Sequence, residues 1–232
     1  MPERYSICVS AEQLKERFSL KLTDNYQAKY NAAPTLLLPI ITDSGRDGLS
    51  FFYWGASPAL AKNKALSPKI YTSSAQAFLE KSVFKKILKP HRCLIPLDGF
   101  YGWKALGKKT QVPYRFVPDS QEILAAAGVW EEFETMDGQS IHTFSMLVHK
   151  AGPELQGIVE NIPVFVPKGQ ENQWLNLEAS PDSLEQILRT PYVPAMSFFT
   201  VSPKLSDIHY NSPILLQTTP PADQFGNFTL FG

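Results

Sequence analysis

The stretch Pro96-Leu-Asp-Gly-Phe-Tyr-Gly-Trp103 decides how the rest of the chain is read. An apolar run, Arg92 to Leu97, leads into it, and a Lys-rich loop, Lys104 to Lys109, follows. Asp98-Gly99 is a turn dipeptide, and Phe100, Tyr101 and Trp103 come directly after it. Two readings of these rings stay open. They fill the core of a hairpin, as aromatic side chains commonly do, or they offer π-faces beside lysines, a combination that suits a nucleic acid.

Outward from this stretch the periodicity is mostly that of strands. Met1 to Val9 stands alone as an N-terminal arm or strand. Ser10-Ala-Glu-Gln13 is a capping box opening a short helix with an apolar pair, Leu14 and Phe18. Tyr30 to Pro34 is an extended turn before proline, Leu36 to Ile41 a buried strand, Gly45 to Gly48 a turn and Leu49 to Trp54 the returning strand. From Ser74 to Leu88 the period becomes helical, with Leu79, Val83 and Ile87 on one side and Lys81, Lys85 and Lys89 on the other, until Pro90 stops it. Further strands are expected at Arg92–Leu97, Tyr114–Val117, Glu122–Trp130, His142–His149, Pro163–Val166, Phe198–Val201 and Pro213–Leu216. Gln170 to Leu177 reads as a helix, and Ser180-Pro181 caps another carrying Leu184, Ile187 and Leu188.

The chain has 232 residues, 44% hydrophobic and 19% charged, which suits one globular domain over residues 1–232. Roughly residues 218–232 form a C-terminal tail. No apolar run approaches the roughly 18 residues of a membrane span, and the N-terminus lacks a secretory h-region, so a cytoplasmic protein without membrane contact is expected. Cys8 and Cys93 make no disulfide framework, and with His91, His142, His149 and His209 they make no metal spacing. Neither metal nor cofactor is expected. The net charge is zero, yet residues 1–120 carry 18 Lys/Arg against 9 Asp/Glu and residues 121–232 carry 4 against 13. Such halves either build a basic face that attracts phosphates or interleave and cancel.

In order along the chain, Arg4, Tyr30-Asn-Ala-Ala-Pro34, Trp54-Gly55, Arg92 to Trp103, Ile158-Val-Glu-Asn-Ile-Pro163 and Val201-Ser202 resemble the SOS-response-associated peptidase (SRAP) family. The resemblance implies an α+β fold, mostly β and barrel-like, with short peripheral helices and an active site at the N-terminus. It implies a role in the DNA damage response, sensing abasic sites in single-stranded DNA. The family's chemistry rests on a Cys exposed by Met removal, whose amine and thiol trap the abasic aldehyde as a thiazolidine. Here that position is Pro2. The family's site Asn falls on Tyr71, its Arg on Ser73, its Glu on Gly102 and its His on Val159, and neither Gly102 nor Val159 can move a proton. By the same resemblance Arg4 contacts DNA, and Pro34 and Trp54 match its base-wedging and stacking loops. The peptidase in the family's title refers to self-removal of residues before the Cys, so no general protease activity is expected.

Three functions of different class follow: non-covalent binding of single-stranded or abasic DNA, with Lys81, Lys85 and Lys89 on phosphates; an enzyme that uses Pro2; and an interaction scaffold without DNA. For the second, Met-Pro-Glu resembles the start of the Fpg/Nei glycosylase-lyases, which use an N-terminal proline with the adjacent Glu, here Pro2 and Glu3. A free secondary amine at Pro2 would condense with the aldehyde, lose water to give an iminium ion and permit β-elimination of the 3′ phosphate. Cys8 lies inside the chain, has no α-amine, and reads as structural, as does Cys93. Finally, Gln224-Phe-Gly-Asn-Phe-Thr-Leu-Phe231 resembles the short peptides that dock on a sliding clamp.

Overall fold

The chain crosses from one sheet to another at Asp98, where a hairpin was expected. The structure, a computed structural model, describes residues 3–21, 25–43, 47–55, 71–80, 91–134, 138–155, 157–190 and 192–229. Twelve strands are seen among them: β1 Arg4–Ile7, β2 Lys29–Ala32, β3 Leu37–Thr42, β4 Ser50–Trp54, β5 Thr72–Ser74, β6 Arg92–Leu97, β7 Gly99–Ala105, β8 Gln111–Pro118, β9 Leu124–Glu134, β10 Ser140–Lys150, β11 Asn161–Pro163 and β12 Met196–Thr200. The helices are α1 Ala11–Phe18, α2 Ala75–Glu80, α3 Glu171–Leu175 and α4 Pro181–Arg189.

Strand β6 pairs with β3 and β9, whereas β7 pairs with β1 and β8. The first group belongs to a five-stranded barrel, β10-β4-β3-β6-β9, closed by pairing of β9 with β10 and extended by β5 and β11. The second is an antiparallel sheet in the order β12-β8-β7-β1-β2. Gly99 permits the crossing, since a Cβ there would lie 2.7 Å from the Phe116 carbonyl oxygen. The barrel therefore continues into the sheet without a loop.

One apolar cluster joins the two layers, with Tyr5 and Ile7 of β1, Leu38 and Ile40 of β3, Trp54, Phe100, Phe116 and Phe144 all buried. Each such side chain contributes about 1.5–3 kcal/mol by leaving water. A second cluster seats α2, α3 and α4 on the barrel through Phe78, Trp174, Leu184, Ile187 and Leu188. A third lies where Tyr101 meets Val201, Leu205 and Leu215.

The capping box at Ser10 forms as read: Ser10 Oγ accepts from Gln13 N at 3.2 Å and Gln13 Oε1 accepts from Ser10 N at 2.8 Å. Ser180 likewise caps α4 with Pro181 in its first turn. One expectation is corrected. Pro213–Leu216 is a 3-10 helix, because Pro213 follows a Ser212 whose side chain accepts from Ile214 N. The helix expected from Ser74 is preceded by strand β5 and is described over Ala75–Glu80, so Lys81, Lys85 and Lys89 lie outside the described residues. The charged halves interleave in part, since Arg17 bonds Glu171 at 2.6 Å.

Candidate nucleic-acid interface at the N-terminal end of strand β1

A cleft of about 440 Å³ opens at the start of β1, lined by Glu3, Arg4, Trp103, Ile158, Val159 and Glu160, with Gln111 and Ser206 at its margin. Strand pairing builds it. Arg4 stands opposite Tyr101, which places the end of β7 beside the N-terminal residues. Alternation along β7 then sorts the rings of the opening stretch: Phe100 packs into the main core, Tyr101 is buried on the opposite cluster, and Trp103 reaches the cleft half-buried. Phe100 and Tyr101 thus lie in the core, and Trp103 is the ring that lines the cleft.

Polar groups in the cleft are short of partners. Arg4 Nη1 donates to the Glu3 carbonyl oxygen at 2.7 Å, but Arg4 Nε and Trp103 Nε1 are buried with no partner among the described residues. The guanidinium lies 5.9 Å from the Trp103 ring centroid. Burial lowers the Arg4 pKa from its ordinary value, with the neighbouring Glu3 charge opposing the shift. A guanidinium stays charged even so. Both donors lie buried and unpaired in side chains that line the cleft.

Tyr71 holds the acidic wall. Its hydroxyl donates to Glu3 Oε1 at 2.9 Å, and burial, together with this bond and the Glu3 charge, pushes its pKa up to about 12. It therefore remains a donor at neutral pH. The Tyr71 carbonyl in turn accepts from Trp54 Nε1 at 2.6 Å.

Gly102 and Val159 meet. A Cβ at Gly102 would overlap Val159 Cγ1 and lie 3.1 Å from Phe116 Cε2, so the apolar Val159 side chain takes the space beside a residue without one. Val159, which lines the cleft, therefore presents hydrocarbon there and cannot move a proton. Ser73, on β5 opposite Leu147 of β10, does not line the cleft.

The stacking role expected for Trp54 is corrected: the ring is fully buried, edge-on to Tyr5 at 5.1 Å and stacked on Phe144 at 6.2 Å, so no base can reach it. Pro34 sits half-buried in a turn whose Thr35 N donates to the Trp54 carbonyl oxygen at 2.8 Å. Pro2 lies outside the described residues, one peptide bond from Glu3. Cys8 donates its thiol to Asp98 Oδ2 at 3.0 Å, and burial with the Asp98 charge raises its pKa, which keeps it an unreactive thiol. Cys93 is fully buried. His149, whose Nδ1 lies 3.0 Å from the Lys150 carbonyl oxygen, stays outside the cleft.

Of the docking peptide expected at Gln224–Phe231, residues 224–229 are described, and Gln224 is bonded to the domain. Gln224 N donates to the Gln111 carbonyl oxygen at 3.1 Å, its Oε1 accepts from Gln111 N at 2.9 Å and its Nε2 donates to the Lys109 carbonyl oxygen at 2.6 Å. The segment is built onto the start of β8. Missed by sequence reasoning were Gln111, Ser206 and Glu160; the first two carry no local signal, and Glu160 stands inside the Ile158–Pro163 motif. Among the described residues no cluster of three or more His, Cys, Asp or Glu is arranged for a metal, and no helix is long and apolar enough to cross a membrane.

Comparison with known proteins places this geometry. The family model described as SOS response associated peptidase (SRAP) matches residues 1–208. The abasic site processing protein YoqW of Bacillus subtilis is 30% identical over 220 residues, covering 93% of this chain and 98% of that protein. YoaM of the same organism, also named an abasic site processing protein, is 33% identical over 193 residues, covering 82% of this chain and 85% of its own. A crystal structure of a protein from Bacteroides thetaiotaomicron has a TM-score of 0.79 at 20% identity, covering 93% of this chain and 99% of its own, and so shares the fold. On the family match and on these relatives, the chain belongs to the SOS response associated peptidase (SRAP) family.

Proposed function

We infer that the protein binds single-stranded DNA at abasic sites, in the DNA damage response, and does so without forming a thiazolidine. The observation that carries this reading is the cleft at the head of β1, where Arg4 and Trp103 each keep a buried N–H without a partner in a family whose relatives are named abasic site processing proteins. A missing base leaves room for an aromatic edge and exposes sugar and phosphate oxygens, acceptors of the kind Arg4 and Trp103 lack. Val159, packed against Gly102, lines the cleft with hydrocarbon and contributes no proton transfer. Position 2 is proline, so no thiol stands beside the N-terminal amine.

Lys81, Lys85 and Lys89 add phosphate contacts in this reading, and replacing all three with Glu flattens the salt dependence of binding. Docking on a sliding clamp through Gln224 to Phe231 would require Gln224 to release its bonds to Gln111 and Lys109, so DNA is the partner we propose. The test is incubation with an abasic single-stranded oligonucleotide. A complex on a native gel that disappears in SDS is expected; an SDS-stable adduct formed without reductant contradicts the reading.

A second reading rests on Glu3, which lines the cleft with its carboxylate fixed by Tyr71 and adjoins Pro2 in the sequence; with Met1 removed, the Pro2 amine is the nucleophile of this reading. The amine condenses with the aldehyde, water leaves, and the resulting iminium takes a hydride from borohydride to give a stable amine linkage. A borohydride-dependent adduct that Pro2 acetylation abolishes supports it; its absence leaves binding alone.

A further inference from the structure

Beyond residue 208, where the family match stops, the described residues include a small hairpin. Ala222 bridges Phe228, and Asp223 ties the turn: its Oδ1 accepts from Phe225 N at 3.0 Å and Asn227 N at 2.9 Å, its Oδ2 accepts from Asn227 Nδ2 at 3.1 Å, and its carbonyl oxygen accepts from Gly226 N at 2.8 Å. Gly226 supplies the φ of 90° that the turn requires. Asp223 itself is buried, and its many donors lower its pKa even against its own burial. The turn is therefore braced from inside.

What this bracing holds outward is apolar. Phe225 is 75% exposed and Phe228 is 80% exposed, the two most exposed large hydrophobic side chains among the described residues. Single exposed apolar residues are ordinary on a protein surface. Two phenylalanines held out by one hydrogen-bonded turn are not explained by folding, since neither packs on the domain and each exposes apolar area to water.

Their neighbours indicate what covers them. Gln224, between Asp223 and Phe225, is clamped to the Lys109 carbonyl oxygen and to both backbone groups of Gln111. The hairpin thus stands against the Lys104–Lys109 loop, where Lys108 and Lys109 are exposed. Gln111 also lines the cleft that holds Arg4 and Trp103. Through Gln111 and Gln224 the cleft, the basic loop and the turn that carries the two phenylalanines are linked in sequence along the surface. A single strand of nucleic acid presents phosphates outside and base faces free to stack.

We propose that Phe225 and Phe228 are a base-stacking platform for the single strand flanking the site bound in the cleft, with Lys108 and Lys109 taking its phosphates. The proposal rests on the DNA-binding reading above. Stacking accepts any base, so the platform adds affinity for strand length and not for sequence. The partner is nucleic acid and not an apolar protein groove, because the turn is bonded through Gln224 to the loop that carries the exposed Lys108 and Lys109.

The experiment compares wild type with Phe225→Ala/Phe228→Ala by fluorescence anisotropy on two abasic oligonucleotides. One extends well past the abasic site on both sides; the other ends next to it. Both rings are exposed, so the variant keeps its fold, which circular dichroism and thermal melting verify. The expected result is a loss of at least about fivefold per stacking ring on the long strand and no change on the short one. Equal long-strand affinity of wild type and variant overturns the platform while leaving the cleft reading intact. Failure of wild type to bind either oligonucleotide overturns both. Lys108→Glu/Lys109→Glu must also lower the long-strand salt slope, and an unchanged slope removes the two lysines from the proposal.

Discussion

The two ends of β1 differ in one respect that separates scaffold from site. At the C-terminal end Asp98 accepts from Ser6 Oγ at 2.6 Å, Cys8 N at 2.5 Å, Cys8 Sγ at 3.0 Å and Arg115 Nη2 at 3.0 Å, so that only Arg115 Nε is left over. At the N-terminal end, four residues away, Arg4 and Trp103 keep unpaired donors around an open cleft. Both ends are polar and part-buried, and both carry an arginine. A buried polar group without a partner costs roughly 1–3 kcal/mol, and the Arg4 end differs in setting two such donors beside a cleft. The Asp98 end holds the barrel to the sheet, and the Arg4 end is where the proposed function places DNA.

The largest effect that sharpens this contrast is on stability. Asp98→Ala strands the Arg115 guanidinium, whose side chain is 11% exposed, and leaves Cys8 N without its acceptor. Breaking a buried pair in this way costs about 3–5 kcal/mol, to be read in urea denaturation. A loss below about 1 kcal/mol would show that the Asp98 end is no more structural than the cleft.

Next in size is the contact between Gly102 and Val159. Gly102→Ala forces a Cβ onto Val159 Cγ1, an overpacking that costs about 1–3 kcal/mol. Combining it with Val159→Ala, which frees that space, should recover stability relative to the sum of the single changes. Additivity within about 0.5 kcal/mol would mean that the two residues do not share this space.

Arg4→Ala reverses the pattern seen at Asp98. It should weaken abasic DNA binding about tenfold or more, as loss of a charged hydrogen-bond donor does, while changing stability by less than about 1 kcal/mol. Loss of fold without a specific loss of binding would make Arg4 a scaffold residue and erase the difference between the two ends.

The smallest effect is a pH dependence away from both ends. Burial lowers the His149 pKa from its ordinary value, and its Nε2 has no partner among the described residues. The unfolded chain therefore binds a proton at higher pH than the folded one, so stability falls as pH drops below the unfolded value of about 6.5 and continues falling until the folded group titrates. His149→Gln should flatten that slope in thermal melts between about pH 7 and 5. An unchanged slope would assign the acid sensitivity elsewhere.

Legibility in the sequence tracked how local each cause is. The caps at Ser10 and Ser180 and the α4 stripe of Leu184, Ile187 and Leu188 rest on neighbours a few residues apart, and they appear as read. The change of sheet at Asp98 does not, because a turn dipeptide specifies a bend and not which strand comes next. Trp54 shows the same limit from the other side: an aromatic before a glycine reads alike on a surface loop and at the core end of a strand, and only β10 packing over it decides. In the cleft, Arg4 and Val159 were legible by resemblance. Gln111 and Ser206 arrive through pairing across the chain, and the outward set of Phe225 and Phe228 depends on the Asp223 turn.

The most direct test of the account is the affinity of the wild-type protein for an abasic single strand against the same strand with every base present, measured by anisotropy at one salt concentration. Tighter binding of the abasic strand, with that preference lost in Arg4→Ala, is the predicted result. Equal affinity for the two strands, or none for either, would contradict it.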